Sequence, residues 1–327
     1  MLAFSAFSGS RVQVRARAKV NLGLEVLGRR ADGYHELRSV MWAIDLADRV
    51  TLEPNGGDIA LECAAPDVPR TADNLAWRAA ELVRRETGAV TGVCIRIEKH
   101  IPVAAGLGGG STDAAAVLAG IGAGTRDIDG RRLGPRRLKA MAVTLGMDVP
   151  FFLGRSPALA SGRGEEIRPV RASMDLSIVL ANPGFPLATR DVYARLEPAD
   201  YGDGRQVAAL VMALRRGVGA VATTVTNGLE RAALRLWPGL TEVKAALLEA
   251  GCLAALMSGS GPTVLGIAPS HRAALRIRDA LAARPWRLWV TRTVTGAALT
   301  IRRSGTVWGR ADGRRRPVGA SWGVAKW

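Results

Sequence analysis

Cysteine, histidine and aromatic residues are scarce in this 327-residue chain, with three Cys, three His and only 5% Phe, Trp and Tyr. Cys63, Cys94 and Cys252 are far apart and odd in number, which argues against a disulfide framework or a zinc cluster and leaves core packing as their expected role. Long apolar runs are also missing: 48% of residues are hydrophobic, yet no run approaches the roughly 20 residues needed to span a bilayer. The opening MLAFSAFSGS has no basic n-region and is too short for a signal h-region. These absences lead to the expectation of a soluble cytoplasmic protein without a membrane partner. Acidic residues are outnumbered, 29 against 45 basic, for a net +16. Leu299 to Trp327 carry seven Lys/Arg and one Asp, a net +6, which leaves +10 for the remainder. A basic surface attracts nucleic acid, acidic lipid or phosphorylated small molecules, and charge alone does not choose among them. The length suits two domains, each with its own core.

Glycine, by contrast, is concentrated. The stretch Ile101 to Ala116, IPVAAGLGGGSTDAAA, contains Gly106, Gly108, Gly109 and Gly110, so its backbone can take φ > 0 and approach a ligand closely. Ahead of it, Val93, Ile95 and Ile97 alternate with Cys94, Arg96 and Glu98, the period of a half-buried strand. Behind it, Ser111 and Thr112 are placed to cap an alanine-rich helix running to about Ile121. Strand, glycine loop and helix start form an anion-binding order, with phosphate as the natural guest. A Walker A loop needs Lys where Ser111 stands, and the dinucleotide fingerprint needs a third Gly there; the protein-kinase loop fails for the same reason.

Upstream, Val12 and Val14 begin an alternating run that resumes after Ala18 as Val20, Leu22, Leu24 and Val26. Lys19 and Asn21 share a face of that strand, as either a solvated edge or a working pair. Asp32-Gly33 marks a turn before Tyr34 and His35. Strand-like sequence follows at Leu37 to Ile44, Val50 to Glu53 and Ile59 to Cys63. Asp73-Asn74 opens a helix with Leu75, Ala79, Leu82 and Val83 as its stripe and Gly88 at its end. Pro135 to Leu145 reads as a helix closed by Gly146. Asp148 then sits among Met147, Val149, Pro150, Phe151 and Phe152, poorly placed for plain solvation. It reads either as a turn or N-cap residue or as a carboxylate in need of a cation. Beyond Phe152 a second lobe is expected: a hairpin at Ser161 to Glu165, a strand at Leu176 to Ala181, helices opening near Thr226 to Glu230 and at Thr241, a glycine-serine turn at Met257 to Thr263, a helix from His271 to Ala283 and a strand from Arg287 to Val294. The segment from Leu299 onward has no sustained period and is expected to be disordered.

The spelling P-x-x-x-G-L-G-G-G-S-T resembles the phosphate loop of the GHMP kinases, which include galactokinase, homoserine kinase, mevalonate kinase and phosphomevalonate kinase. ARAKVNLGLEVLGRRADGYHELRSVM is similar to the N-terminal motif of the 4-diphosphocytidyl-2-C-methyl-D-erythritol kinase family, and L-G-x-D-V-P-F-F, ANPGFPLATRDVY and M-S-G-S-G-P-T follow its later segments in order. The resemblance covers roughly Arg11 to Gly296. It implies a two-domain α+β GHMP-kinase fold with the active site in the inter-lobe cleft. Residues 1–155 would form the N-terminal domain with the phosphate loop, 156–298 the C-terminal domain and 299–327 a basic tail.

The implied activity is ATP-dependent phosphorylation of the 2-hydroxyl of 4-diphosphocytidyl-2-C-methyl-D-erythritol, in the non-mevalonate route to isopentenyl diphosphate. Lys19 and Asp148 would then be catalytic. Pro102, Val103, Ala104, Ala105, Gly106, Leu107, Gly108, Gly109, Gly110, Ser111 and Thr112 would wrap the ATP phosphates. On the acceptor the resemblance places Asn21, Tyr34, His35 and Thr189, with Lys99 near the cytidine ring and Tyr193 stacked on it. Mg²⁺ would bridge phosphate oxygens, with no protein ligand assigned. Ala104 and Ala105 stand where relatives commonly carry glycine, a change expected to keep the loop's shape. Two competing readings remain. Another small-molecule GHMP kinase would have no use for Tyr34, His35 and Tyr193. A nucleic-acid binder would use the +16 charge and the Arg/Trp tail, but the folded region lacks an interleaved aromatic and basic pattern, so the expected partners are small-molecule substrates and no specific nucleic acid.

Overall fold

A computed structural model describes residues 11–88, 92–122 and 133–304, together with 125, 129, 131, 322 and 323. Its spine is an antiparallel hairpin of two long strands, β1 (Arg11–Arg29) and β2 (His35–Pro54). Every even-numbered residue of β1 from Val12 to Val26 is apolar and buried, yet the set is shared among three cores. Val12, Val14 and Ala16 enter the first, Ala18, Val20 and Leu22 the second, and Leu24 and Val26 the third. The pairing of β1 with β2 shifts between Arg17 and Lys19 and again between Asn21 and Gly23. An extra residue at such a bulge re-aims the side chains that follow it, so one strand can serve several cores and place Lys19 and Asn21 between the two shifts.

The first core is completed by β3 (Ile59–Cys63), α1 (Leu75–Thr87), β4 (Val93–Glu98), α2 (Gly109–Gly122), α3 (Pro135–Leu145) and α4 (Val149–Leu153). Local chemistry fixes their ends. The Asn74 side chain accepts the Ala76 N–H to cap α1, and Gly88 closes that helix at φ 62°, a left-handed value natural to glycine. Pro135 begins α3 and Gly146 ends it. Helix α2 is buried without a break from Thr112 to Gly122, as expected for a helix packed on all sides. Gly109 and Gly110 lie within α2, so Ser111 and Thr112 occupy its first turn instead of capping it.

After β5 (Arg155–Ser156), β6 (Ala158–Ser161) and β7 (Glu166–Pro169), the chain forms β8 (Ser177–Asn182), α5 (Thr189–Ala194), α6 (Arg205–Ala213), α7 (Val218–Ala222), β9 (Thr226–Asn227), α8 (Glu230–Leu236) and α9 (Leu240–Glu249). It continues through β10 (Ala254–Met257), β11 (Val264–Ala268), α10 (His271–Ala280), β12 (Arg287–Arg292), β13 (Gly296–Ala297), β14 (Leu299–Ser304) and β15 (Trp322–Gly323). Strands β10, β11, β8 and β12 form a four-stranded antiparallel sheet in that order.

The division expected at 155/156 does not separate the sheets. β6 pairs with β2, β7 with β6, and β9 runs parallel to β1, so residues from the second half join the first sheet. The boundary expected at 298 also moves, because β14 pairs along β1 from Arg11 to Ala16 and buries Leu299 and Ile301 in the first core. Trp322 and Gly323 pair with Arg302 and Ile301. The disorder expected from Leu299 onward therefore does not hold for 299–304 or for 322–323, and positions 305–321 and 324–327, including Trp308, Trp327 and the triple arginine, lie outside the described residues. No helix among the described residues is long and apolar enough to cross a membrane.

Candidate active site

Lys19 is 4% exposed, which removes the solvated-edge reading. A buried ammonium needs compensation, and Lys19 Nζ finds it in Asn21 Oδ1 at 2.6 Å and Asp148 Oδ2 at 3.3 Å. The Asn21 amide cannot turn over without losing a second bond, because its Nδ2 donates to Ser39 Oγ at 2.7 Å and that hydroxyl donates onward to Gly23 O at 2.7 Å. Asp148 occupies the N-cap position of α4, but its side chain makes no capping bond. Its carboxylate is 37% exposed and opens into the cleft, so the expected burial among apolar neighbours does not hold; they fix the backbone while the acid faces Lys19.

Three sequence motifs meet around this pair. The Lys19 N–H donates to Leu107 O at 3.0 Å. A methyl group on Gly108 would lie 2.9 Å from the Phe152 ring and 3.1 Å from Lys19 Cγ. The turn from Met257 to Thr263 closes the other side: a methyl on Gly259 would stand 3.3 Å from Lys19 Nζ and 3.2 Å from Asn21 Oδ1. Ser258 Oγ donates to Gly106 O at 3.2 Å, and Asn21 N–H donates to Ser258 Oγ at 3.4 Å. Asn227 braces this turn by donating to Met257 O and Gly259 O at 2.7 and 2.8 Å, and the Glu230 carboxylate accepts the Met257 N–H. Ala104 has φ 52°, a left-handed conformation that costs a residue with a Cβ about 1–2 kcal/mol. Alanine therefore holds the turn of the loop here at that cost.

The pair opens into a cavity of about 660 Å³. Pro102 to Gly106 and Gly108 to Ser111 line one wall, while Leu107 and Thr112 turn into the interior. Lys99 lines the cavity too, but its contacts belong to the glycine-loop side. Its ammonium meets Asp48 at 2.5 Å and Asp113 at 2.9 Å and would lie 3.2 Å from a methyl on Gly109. Asp48 also accepts the His100 and Ile101 N–H groups at 2.6 and 2.9 Å. These bonds tie the end of β4 to the first turns of α2, so placement beside the cytidine ring does not fit the contacts of Lys99. Two carboxylates share one lysine here. Burial, reinforced by the Asp48 charge and opposed by Lys99, pushes the Asp113 carboxyl up to about 7. Burial works against the Lys99 charge, but the two carboxylates outweigh it and raise its pKa.

Elsewhere the His35 ring lies 5.2 Å from Tyr193 and 6.2 Å from Tyr201. Burial, then the charge of Arg29, holds the His35 imidazole below the usual histidine range. Burial, then the negative charge of Asp148, raises the Tyr193 phenol. Thr189 Oγ1 is 2.8 Å from Ser260 Oγ. Tyr34 is half exposed, with the Arg163 guanidinium 4.9 Å from its ring centre. Tyr193 and Thr189 line the cavity, whereas His35 reaches it through Tyr193 and Tyr34 stands outside its walls. Ser39, Asp48, Asp113 and Arg163 had no reading in the sequence as site residues, nor had Asn227 and Ser258 as braces. A charged residue inside the alanine run after Thr112 was the available signal for Asp113.

The chain can now be set beside known proteins. Residues 74–155 match the GHMP kinases N terminal domain, and residues 209–287 match the GHMP kinases C terminal domain. The chain is 44% identical over 285 residues to the 4-diphosphocytidyl-2-C-methyl-D-erythritol kinase of Symbiobacterium thermophilum, covering 86% of this chain and 100% of the relative. It is 41% identical over 280 residues to the enzyme of the same name from Pelotomaculum thermopropionicum, covering 85% and 96%. A crystal structure of 4-(cytidine 5'-diphospho)-2C-methyl-D-erythritol kinase superposes with a TM-score of 0.72 at 39% identity, covering 87% of this chain and all of the other. The chain therefore belongs to the GHMP kinases and, within them, to the family of the 4-diphosphocytidyl-2-C-methyl-D-erythritol kinases.

Proposed function

We propose that this protein transfers the γ-phosphoryl group of ATP to the 2-hydroxyl of 4-diphosphocytidyl-2-C-methyl-D-erythritol, the step its relatives are named for in the non-mevalonate route. The observation that carries this reading is the Lys19–Asp148 contact at 3.3 Å, on the wall of a cavity also lined by the glycine loop. Phosphoryl transfer depends on positioning and charge neutralisation, with a base to take the acceptor proton. Asp148 is that base: its exposed carboxylate accepts the hydroxyl proton as the oxygen bonds to the γ-phosphorus and the bond to the β–γ bridging oxygen breaks, releasing ADP. Lys19, held by Asn21 and Asn21 by Ser39, offsets charge on the transferring group. Backbone N–H groups at the start of α2 receive the nucleotide phosphates.

The cavity wall suits Mg²⁺, since it offers oxygen donors and includes neither His nor Cys, the choice of a hard cation. Among the described residues no group of three His, Cys, Asp or Glu could hold an ion, so the Ser111 hydroxyl and the phosphates themselves are the fitting ligands. Bound there, the ion would supply neutralisation of phosphate charge. At the acceptor end, Tyr193, His35 and Thr189 serve the cytidine portion, while Lys99 is reassigned to holding the phosphate loop.

A coupled ADP-release assay with 4-diphosphocytidyl-2-C-methyl-D-erythritol, galactose, homoserine and mevalonate tests the proposal. Turnover of the first alone is the expected result; comparable turnover of another alcohol would transfer the reading to a different GHMP kinase activity.

A further inference from the structure

Three cations line the cavity: Lys19, Lys99 and Arg163. Lys19 is committed to Asn21 and Asp148, and Lys99 to Asp48 and Asp113. Arg163 is different. Its Nε bonds to Glu165 Oε1 at 3.3 Å and its central carbon lies over the Tyr34 ring, 4.9 Å from the ring centre, but among the described residues neither Nη group has a hydrogen-bond partner. The turn that carries it is well anchored. Gly162 O accepts the Leu37 N–H at 2.9 Å, the Gly162 N–H donates to Glu36 at 3.2 Å, and the Arg163 N–H donates to Glu165 at 2.7 Å. On its far side, a methyl on Gly164 would stand 3.7 Å from Met147 Cβ. The turn is therefore fixed between the β2 end that follows Tyr34 and His35 and the segment carrying Asp148, and from it the guanidinium reaches over the Tyr34 ring.

We infer that Arg163 is a specificity-determining residue of the acceptor end, whose free Nη edge takes the diphosphate of a cytidine diphosphate-linked substrate. A planar fork pre-set by stacking and one tether loses little freedom on pairing with phosphate oxygens, which it can meet bidentately. This inference rests on the functional reading above, because it needs an acceptor with a diphosphate.

Calorimetric binding of cytidine 5'-diphosphate and of cytidine, with a non-hydrolysable ATP analogue saturating the nucleotide site, tests it on the full chain. Arg163→Ala should weaken cytidine diphosphate at least tenfold, change cytidine less than twofold and flatten the salt dependence of cytidine diphosphate binding. Arg163→Lys, which keeps the charge but not the fork, should fall between. A melting temperature equal to that of the wild type shows that the fold is retained. Equal affinity for cytidine diphosphate in wild type and Arg163→Ala, or equal losses for cytidine and its diphosphate, would overturn the inference and leave the kinase reading standing. Loss of cytidine diphosphate binding in the variant, combined with no wild-type turnover of the proposed acceptor, would instead support the Arg163 site and reject the kinase reading.

Discussion

Lys19 and Asp148 face each other at 3.3 Å with unequal exposure, the ammonium side chain at 5% and the carboxylate at 37%. That inequality suits their proposed roles. The cation is braced by Asn21 and walled by Gly108 and Gly259, so it stays fixed as charge builds on the transferring phosphoryl group. The acid keeps an open side, from which an acceptor hydroxyl can reach it.

The contact between the two glycine loops should be sensitive to a single methyl group. Gly106 has φ 73°, and a Cβ there would lie 2.3 Å from the backbone oxygen of Ser258. Gly106→Ala should cost at least about 1–2 kcal/mol from the left-handed conformation alone, with more from the clash. Because the loop must move, KM for ATP should rise at least tenfold while KM for the acceptor changes less. Unaltered stability and ATP kinetics would show that the two loops do not depend on this contact.

The Asp48–Lys99–Asp113 cluster predicts a pH dependence of stability. The Asp113 carboxyl titrates at about 7 in the fold against an ordinary 3.8. Between those values the native state holds more protons than the unfolded chain, so stability falls as pH rises through the window. Asp113→Asn removes that exchange and leaves Lys99 paired with Asp48. Measured without magnesium, the melting temperature of the variant should gain on the wild type between pH 4 and pH 8, by roughly 1–2 °C for each kcal/mol relieved. A constant or shrinking difference would contradict the charge balance drawn for this cluster.

Strand β14 makes the C-terminal boundary testable. Leu299 and Ile301 are buried, and Arg303 donates to Gly120 O at 3.1 Å. Truncation after Ala298 should therefore lower the melting temperature and reduce activity with it. Leu299→Ala should cost about 2–5 kcal/mol, the range for large-to-small changes in a core. An unchanged denaturation midpoint in both proteins would mean that 299–304 contributes nothing to the sheet.

What was legible in the sequence divides along the range of the forces involved. Asn74, Gly88, Pro135 and Gly146 fix their helix ends through local backbone chemistry, and all four were readable. Lys19, Asp148 and the glycine loop were readable because each sits in a recognisable spelling. Their meeting was expected from the resemblance and from the need of Asp148 for a cation, but not from periodicity, which does not display the register shifts in β1. β14 went unseen for a related reason: its ladder partner is the first strand of the chain, and six residues that include the adjacent Arg302 and Arg303 look like part of a basic tail. Asp48 is ordinary in sequence, and Lys99 reads there only as a ligand-facing cation; their contact with each other comes from the pairing of β2 with β4.

Single-turnover phosphoryl transfer by Asp148→Asn, mixed rapidly with ATP and 4-diphosphocytidyl-2-C-methyl-D-erythritol, tests the central claim most directly. The carboxamide keeps the size of the side chain but cannot take the hydroxyl proton, so the chemical step should slow on the order of 10²–10⁴-fold while ATP affinity and melting temperature stay near those of the wild type. A chemical step at the wild-type rate in that variant would contradict the assignment of Asp148 as the base.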